Sequence, residues 1–289
     1  MSDAAAPTLE SRPGRLWLAL TQNRLAWIGL ALLALIVLVA ALAPWLAPHD
    51  PLEQNIAARL EPPSAEYWLG TDSYGRDVLS RLIYGARVSL FVGFAAIIVA
   101  MLVGTTIGVI AGYVGGLFDQ IVMGVLDVML AFPTLLLGLM IAAMLGASLD
   151  NLIIAIAVTE IAPFARVARA PTISLRERDF VEASRSYGCG PIRIMTRHIL
   201  PNMMSDVVVM SSLWLASAIR TEASLSFIGL GVPPPTATWG SMIREGFENI
   251  LDAWWLAVFP SLAILLTVLA LNLLGDALRD ACDPRTQSR

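Results

Sequence analysis

The sequence predicts an all-α polytopic membrane protein with six transmembrane helices. Composition is the first reason. Of 289 residues, 57% are hydrophobic and only 15% charged, at a mean hydropathy of +0.71, where a soluble domain carries roughly 25% charged residues. Such a chain must bury apolar surface in lipid. The second reason is that the apolar residues gather into six stretches, each near the roughly 20 residues a helix needs to cross a bilayer. The third is the placing of cations. Six crossings put both termini on one side, and that side, with the loop between the fourth and fifth spans, holds thirteen of the nineteen arginines. The positive-inside rule then places the termini and that loop in the cytosol.

Residues 1–26 are polar, carry Arg12, Arg15 and Arg24, and read as a cytoplasmic tail with a short interfacial helix around 16–20. Residues 27–46 are uncharged and form the first span. Ala41-Leu42-Ala43 has the look of a cleavage site, but the apolar run is longer than that of a signal peptide, so an uncleaved anchor is expected. Pro44, Pro48 and Pro51 open an extracytoplasmic segment over 47–86. It should contain an interfacial helix in which Val78, Leu79, Leu82 and Ile83 share one face, with Arg76, Asp77 and Arg81 off it.

The core is expected over 87–280. Its first helix, the second span at 89–112, carries Gly104 and Gly108 at the spacing that lets helices approach closely. The third span covers 120–145 and should kink at Pro133. The fourth runs over 151–166, extends toward 170 and bends at Pro163. The fifth, from about 202, has the weakest apolar pattern: Asp206, Arg220 and Glu222 bracket it and Ser211, Ser212 and Ser217 interrupt it. A span of that kind faces protein or a cavity rather than lipid. Residues 226–255 leave the membrane, because Pro233, Pro234 and Pro235 exclude helix there, and a short outer helix follows over 241–252. The sixth span covers 256–274, and 281–289 is a cytoplasmic C-terminus.

The cytoplasmic loop, 171–202, is the part least like a membrane protein. From 176 it reads RERDFVEASRSYGCGPIRIMTRHILPN, and with the residues just before it holds seven arginines. Gly188 and Gly190 permit a chain reversal and Pro191 suits the first turn of a helix. The expected structure is a helix to Tyr187, a tight turn, and a second helix from Pro191 to Leu200, about 15 Å long and stopped by Pro201. Ile192, Met195 and Ile199 share one face of it, with Arg193 and Arg197 elsewhere. That is a docking helix for a polar surface.

These residues carry a resemblance. Glu182-Ala183-Ser184, then Gly188, then Leu200-Pro201 resemble the EAA loop of the membrane subunits of bacterial ABC importers, with Ser184 in place of an alanine and His198 where the motif has isoleucine. The run LGTDSYGRDVLSRLIYGARVSL, 69–90, is similar to the signature of the C-type permease of dipeptide, oligopeptide and nickel importers, and so are the stretches from 225 and from 254. The resemblance covers 27–285. It implies a type I ABC importer permease core and a bacterial inner-membrane location. It further implies a coupling loop built of Glu182, Ala183, Ser184, Gly188, Pro191, Arg193, Arg197, His198, Leu200 and Pro201. The implied partners are a B-type sister permease, two cytoplasmic ABC ATPases and an extracytoplasmic solute-binding protein, in membrane lipid and without nucleic acid. The solute is a di- or oligopeptide, or alternatively nickel or a metal chelate.

The residues themselves exclude other classes. There is no lysine, so no P-loop can be completed here; the chain binds no cofactor, and ATP and Mg²⁺ belong to partner subunits. His49 and His198 lie far apart and no HExxH, CxxC or nucleophile elbow occurs, which leaves nothing for an intramembrane enzyme. Cys189 and Cys282 fall on cytosolic segments and are expected as reduced thiols. An ion-coupled carrier should show internal repeats, and the two halves are not similar. For a solvated path the candidates are Asp127, Glu160, Ser211 and Ser212. Asp276, Arg220 and Glu222, near span ends, are read as structural.

Overall fold

The computed structural model describes residues 24–282; expectations for the N-terminal tail before Arg24 and for the last seven residues lie outside them. The helices of the described residues are α1 (Arg24–Ala41), the short α2 (Ala43–Leu46), α3 (Val78–Val114), α4 (Gly116–Ala131), α5 (Thr134–Leu145), α6 (Leu149–Arg176), α7 (Asp179–Ser186), α8 (Pro191–Ile228), α9 (Trp239–Glu248) and α10 (Trp255–Cys282), with a 3-10 turn at Ile56–Ala58. Among the described residues there is no strand, only an isolated bridge between Thr71 and Asp77.

α3 and α6 form the central pair. Glycines make it possible. A Cβ on Gly108 would lie 2.2 Å from the Ala165 carbonyl oxygen, and one on Gly104 2.5 Å from that of Ile161. The spacing of four thus forms a seam where the backbones nearly touch, and Gly112 continues it against Thr172. α8 packs on both, α10 on α8, and α1 on α10. Facing outward are Leu35, Leu38, Leu102, Val128 and Leu265, all large, apolar and exposed, as lipid contact requires.

Five single helices are long and apolar enough to cross a membrane, and α4 with α5 makes a sixth if counted as one span. Chain continuity shows that they cross together. α4 starts beside the C-terminus of α3 at one end of the bundle. α5 ends next to Ala147, which shares a cavity at the other end with Ser73, Arg76 and Arg81. Pro133 does more than kink this span. The two halves meet at 95°, with Phe132 and Pro133 both extended.

Three further expectations are corrected. No separate interfacial helix exists at 78–83: Val78 begins α3, capped by Asp77, whose carboxylate accepts from Ser80 N–H at 2.9 Å. The boundary drawn at 86/87 therefore falls inside a helix of 37 residues. Arg76, Asp77 and Arg81, expected off the packed face, are buried at 6%, 3% and 4% exposure. Lastly, Pro201 does not stop a helix. α8 runs through it, and the five residues Met195–Ile199 just before it are wound as a π-helix. Proline lacks the N–H that would close an α-turn and its ring crowds the preceding carbonyls; a wider turn relieves both.

Candidate functional site

The segment 176–202 is a helical hairpin fixed to one end of the bundle. Its turn is a complete left-handed helix cap. Gly188 has φ +78°, its N–H donates to the Arg185 carbonyl at 2.9 Å, and Cys189 N–H donates to the Ser184 carbonyl at 3.0 Å. This pattern satisfies the last carbonyls of α7 and favours glycine at its left-handed position. Gly190 then caps α8, with Pro191 in its first turn.

The inner face of the hairpin is cemented to the body. Val181, Ile194, Ile199 and Met203 are fully buried in the same core as Phe164 and Ala168 of α6. The buried face differs from the expected one at one position: Ile199 is buried and Met195 packs against the core, but Ile192 is 74% exposed and Ile194 takes its place. The π-turn explains the shift, because Ile194 and Ile199 are five apart while Ile199, Met203 and Val207 follow at four. Arg176 extends back to donate to the Gly112 and Tyr113 carbonyls at 3.3 and 3.2 Å, capping α3. The Arg185 guanidinium sits 5.4 Å from the Tyr113 ring centre.

Turned away from the body, the hairpin is unpaired. Glu182, Ala183, Gly188, Pro191, Arg193, Arg197 and Pro201 are exposed. Tyr187 is 88% exposed. Among the described residues Arg178, Arg193 and Arg197 meet no carboxylate within ion-pair distance, and Glu182 meets no cation. Ser184 bonds back to the Phe180 carbonyl at 2.7 Å. His198, half-buried, lies 6.4 Å from the Phe180 ring, and Leu200 packs partly into the core. Cys189, also partly buried, is a free thiol.

At the other end, charge is treated in the opposite way. Asp72 accepts from Tyr74 N–H and Arg76 N–H at 2.8 and 3.0 Å, from Arg76 Nε at 2.6 Å, and lies 3.1 Å from Arg81 Nε. Glu245 of α9 completes the knot, 3.5 and 3.6 Å from the same two guanidinia, and also accepts from the Ser73 hydroxyl. The knot ties the outer segment 47–77 to α3 and α9. Nothing in the spacing of the four residues signals it, because Glu245 is so remote in sequence.

The four path candidates are not brought together. Asp127 on α4 pairs with Arg166 on α6. Glu160, 3% exposed, faces Ser217 and Arg220 on α8. The Ser211 and Ser212 hydroxyls donate to the carbonyls of Val207 and Val209 in their own helix, at 2.7 and 2.6 Å, and Ser211 also approaches the Met101 sulfur. Glu222 is fully buried and accepts from Ser226 Oγ at 2.8 Å. Sequence reading missed Asp119, which accepts twice from Arg169, both at 2.6 Å.

Residues 104–288 match the family described as binding-protein-dependent transport system inner membrane component, and residues 13–63 match the N-terminal transmembrane domain of oligopeptide transport permease C. The chain is 44% identical to a dipeptide transport system permease protein, DppC, of Alkalihalophilus pseudofirmus, over 93% of this chain and 88% of that one. It is also 44% identical to a di/tripeptide transport system permease protein, DppC, of Pseudomonas aeruginosa, over 94% and 92%. Among solved structures, a chain of the MetNI methionine ABC transporter in inward-facing conformations superposes with a TM-score of 0.55 at 19% identity, over 71% of this chain and 98% of that one. That likeness shows the fold.

Proposed function

The chain belongs to the family of binding-protein-dependent transport system inner membrane components, and on that premise we propose that it is the C-type membrane subunit of an ATP-driven importer of di- and oligopeptides. It conducts and does not catalyse. The names of its relatives favour peptide over nickel or a metal chelate. A sister permease supplies the other wall of the translocation path. Two cytoplasmic ATPases bind and hydrolyse ATP with Mg²⁺, and an extracytoplasmic binding protein delivers solute to the end of the bundle that carries the charge knot. Both termini lie in the cytosol of a bacterium, on the side of the hairpin.

The hairpin carries this reading. Its buried face makes it move as one body with α6 and α8, and its open face presents Arg193, Arg197, Glu182 and Tyr187, exposed and without an ion-pair partner among the described residues. Exposed aromatic and arginine side chains of this kind are the usual anchors of a protein interface. When the ATPases close on ATP, a hairpin held in them shifts, and the α6 and α8 rods carry that shift into the membrane to switch the path from inward to outward access. Glu182, Ala183, Ser184, Gly188, Pro191, His198, Leu200 and Pro201 shape and aim the docking surface.

Copurification tests it. The tagged full-length chain should bring down ATPase subunits and a second permease, and replacing Gly188 by Asp should leave membrane insertion intact while peptide uptake is lost. Uptake at the normal rate by an expressed Gly188→Asp protein overturns the coupling role.

A further inference from the structure

We propose that the Asp127–Arg166 pair is a subsite for the two charged ends of the translocating solute, and that it opens to admit a zwitterion between its members. This rests on the transport reading above.

Two ion pairs cross the contact between α4 and α6, and they are built differently. Arg169 grips Asp119 with two parallel bonds, and Asp119 is only 8% exposed. Arg166 touches Asp127 once, from Nη2 to Oδ1 at 2.5 Å, and the two side chains are 53% and 54% exposed. One edge of the guanidinium and the second carboxylate oxygen of Asp127 therefore have no protein partner among the described residues. Both pairs border a cavity of about 570 Å³, which Gln120, Met123 and Gly124 also line. That volume falls within the range of small-molecule sites, roughly 300–1,000 Å³. A Cβ on Gly124 would meet nothing within 4 Å, so this side is open.

A half-exposed ion pair within a span does not face acyl chains; it faces water or a polar guest. An exposed pair held by one contact contributes little to the fold, so parting it costs little. Its free valences match a peptide's termini: the guanidinium takes the carboxylate in a charge-assisted bond and Asp127 takes the ammonium. A dipeptide spans about 7 Å between its ends, so a parted pair can bracket it. The Asp119–Arg169 pair remains closed and holds α4 to α6 meanwhile.

The test uses the complete transporter in vesicles, with its binding protein, and counts delivered dialanine against ATP hydrolysed. Arg166→Gln and Asp127→Asn should each lower dialanine delivered per ATP at least fivefold, and Arg166→Lys, which keeps the charge without the planar fork, should fall between. Arg166→Gln should also narrow, at least fivefold, the preference for dialanine over its C-terminal amide, since the binding protein's own preference cancels between variants. Unchanged delivery per ATP overturns the proposal. So does a parallel fall in delivery of both solutes and in hydrolysis, which marks a pair that only holds helices together. If the unaltered complex delivers no dialanine, it is the peptide-transport reading that fails.

Discussion

At one end of this molecule four charged side chains are hidden and bound to one another; at the other, Arg178, Arg193 and Arg197 stand in the open with no carboxylate within ion-pair distance among the described residues. The side chains of Asp72, Arg76 and Arg81 are 2%, 7% and 5% exposed, with Glu245 at 17%. Charges taken out of water must be compensated within the chain, or they cost several kcal/mol. Charges left in water cost the fold almost nothing and are free to meet another molecule. The knot is thus part of what holds the outer segment in place, whereas Arg178, Arg193 and Arg197 of the hairpin form no ion pair among the described residues. Both ends are rich in arginine; burial and pairing separate the two roles.

The contrast can be broken most severely at Asp72. Asp72→Ala strands two buried guanidinia and two backbone N–H groups, and should destabilise the protein by about 3–5 kcal/mol, seen as a large drop in thermal unfolding temperature in detergent. Glu245→Gln keeps a hydrogen-bonding group near Ser73 but removes a charge that faces both arginines; about 2 kcal/mol is expected, read from the same melt. At the hairpin the expected losses shrink. Gly188→Ala puts a side chain where φ is +78° and should cost about 1–2 kcal/mol; nothing lies in the way of its Cβ, so the hairpin should still form. The double reversal Arg193→Glu with Arg197→Glu should leave the unfolding transition where it is and yet abolish copurification of ATPase chains. If that double variant melted like Asp72→Ala, the hairpin's arginines would be holding the fold as the knot does, and the division of roles would be wrong.

Much of the architecture is legible in the sequence because it is written in local quantities. The spans follow from apolar length, the seam at Gly104 and Gly108 from a spacing of four, and the hairpin turn from Gly188 and Pro191. What is not legible depends on partners remote in the chain or on small energy differences. Arg76 and Arg81 look like solvated charges until Glu245, on a helix more than 160 residues away, is folded against them. At Pro201 the local rule says stop, but packing of Met203 and Val207 outweighs one lost hydrogen bond, and the helix widens instead of ending. That widening moved the buried line from Ile192 to Ile194. At Pro133 a kink and a right-angled break are the same signal in sequence. Ser211 and Ser212 qualify as path residues by type within an apolar run, and type alone does not distinguish a serine spent on its own helix from one open to solvent.

The five-residue turn at Met195–Ile199 has a consequence for how the hairpin is aimed. It stores one residue more than ordinary winding needs, and each residue of an α-helix advances the azimuth by about 100°. Deleting Thr196, which is exposed, would let the rod return to regular pitch with its trunk beyond Leu200 undisturbed. Ile194 would then stand four residues before Ile199, the spacing of Ile199 to Met203, so the hairpin would keep its bearing. Winding all five residues as regular helix would instead swivel Arg193 and everything before it by roughly a quarter turn, so the compass bearing of the hairpin is set by how this one turn is wound.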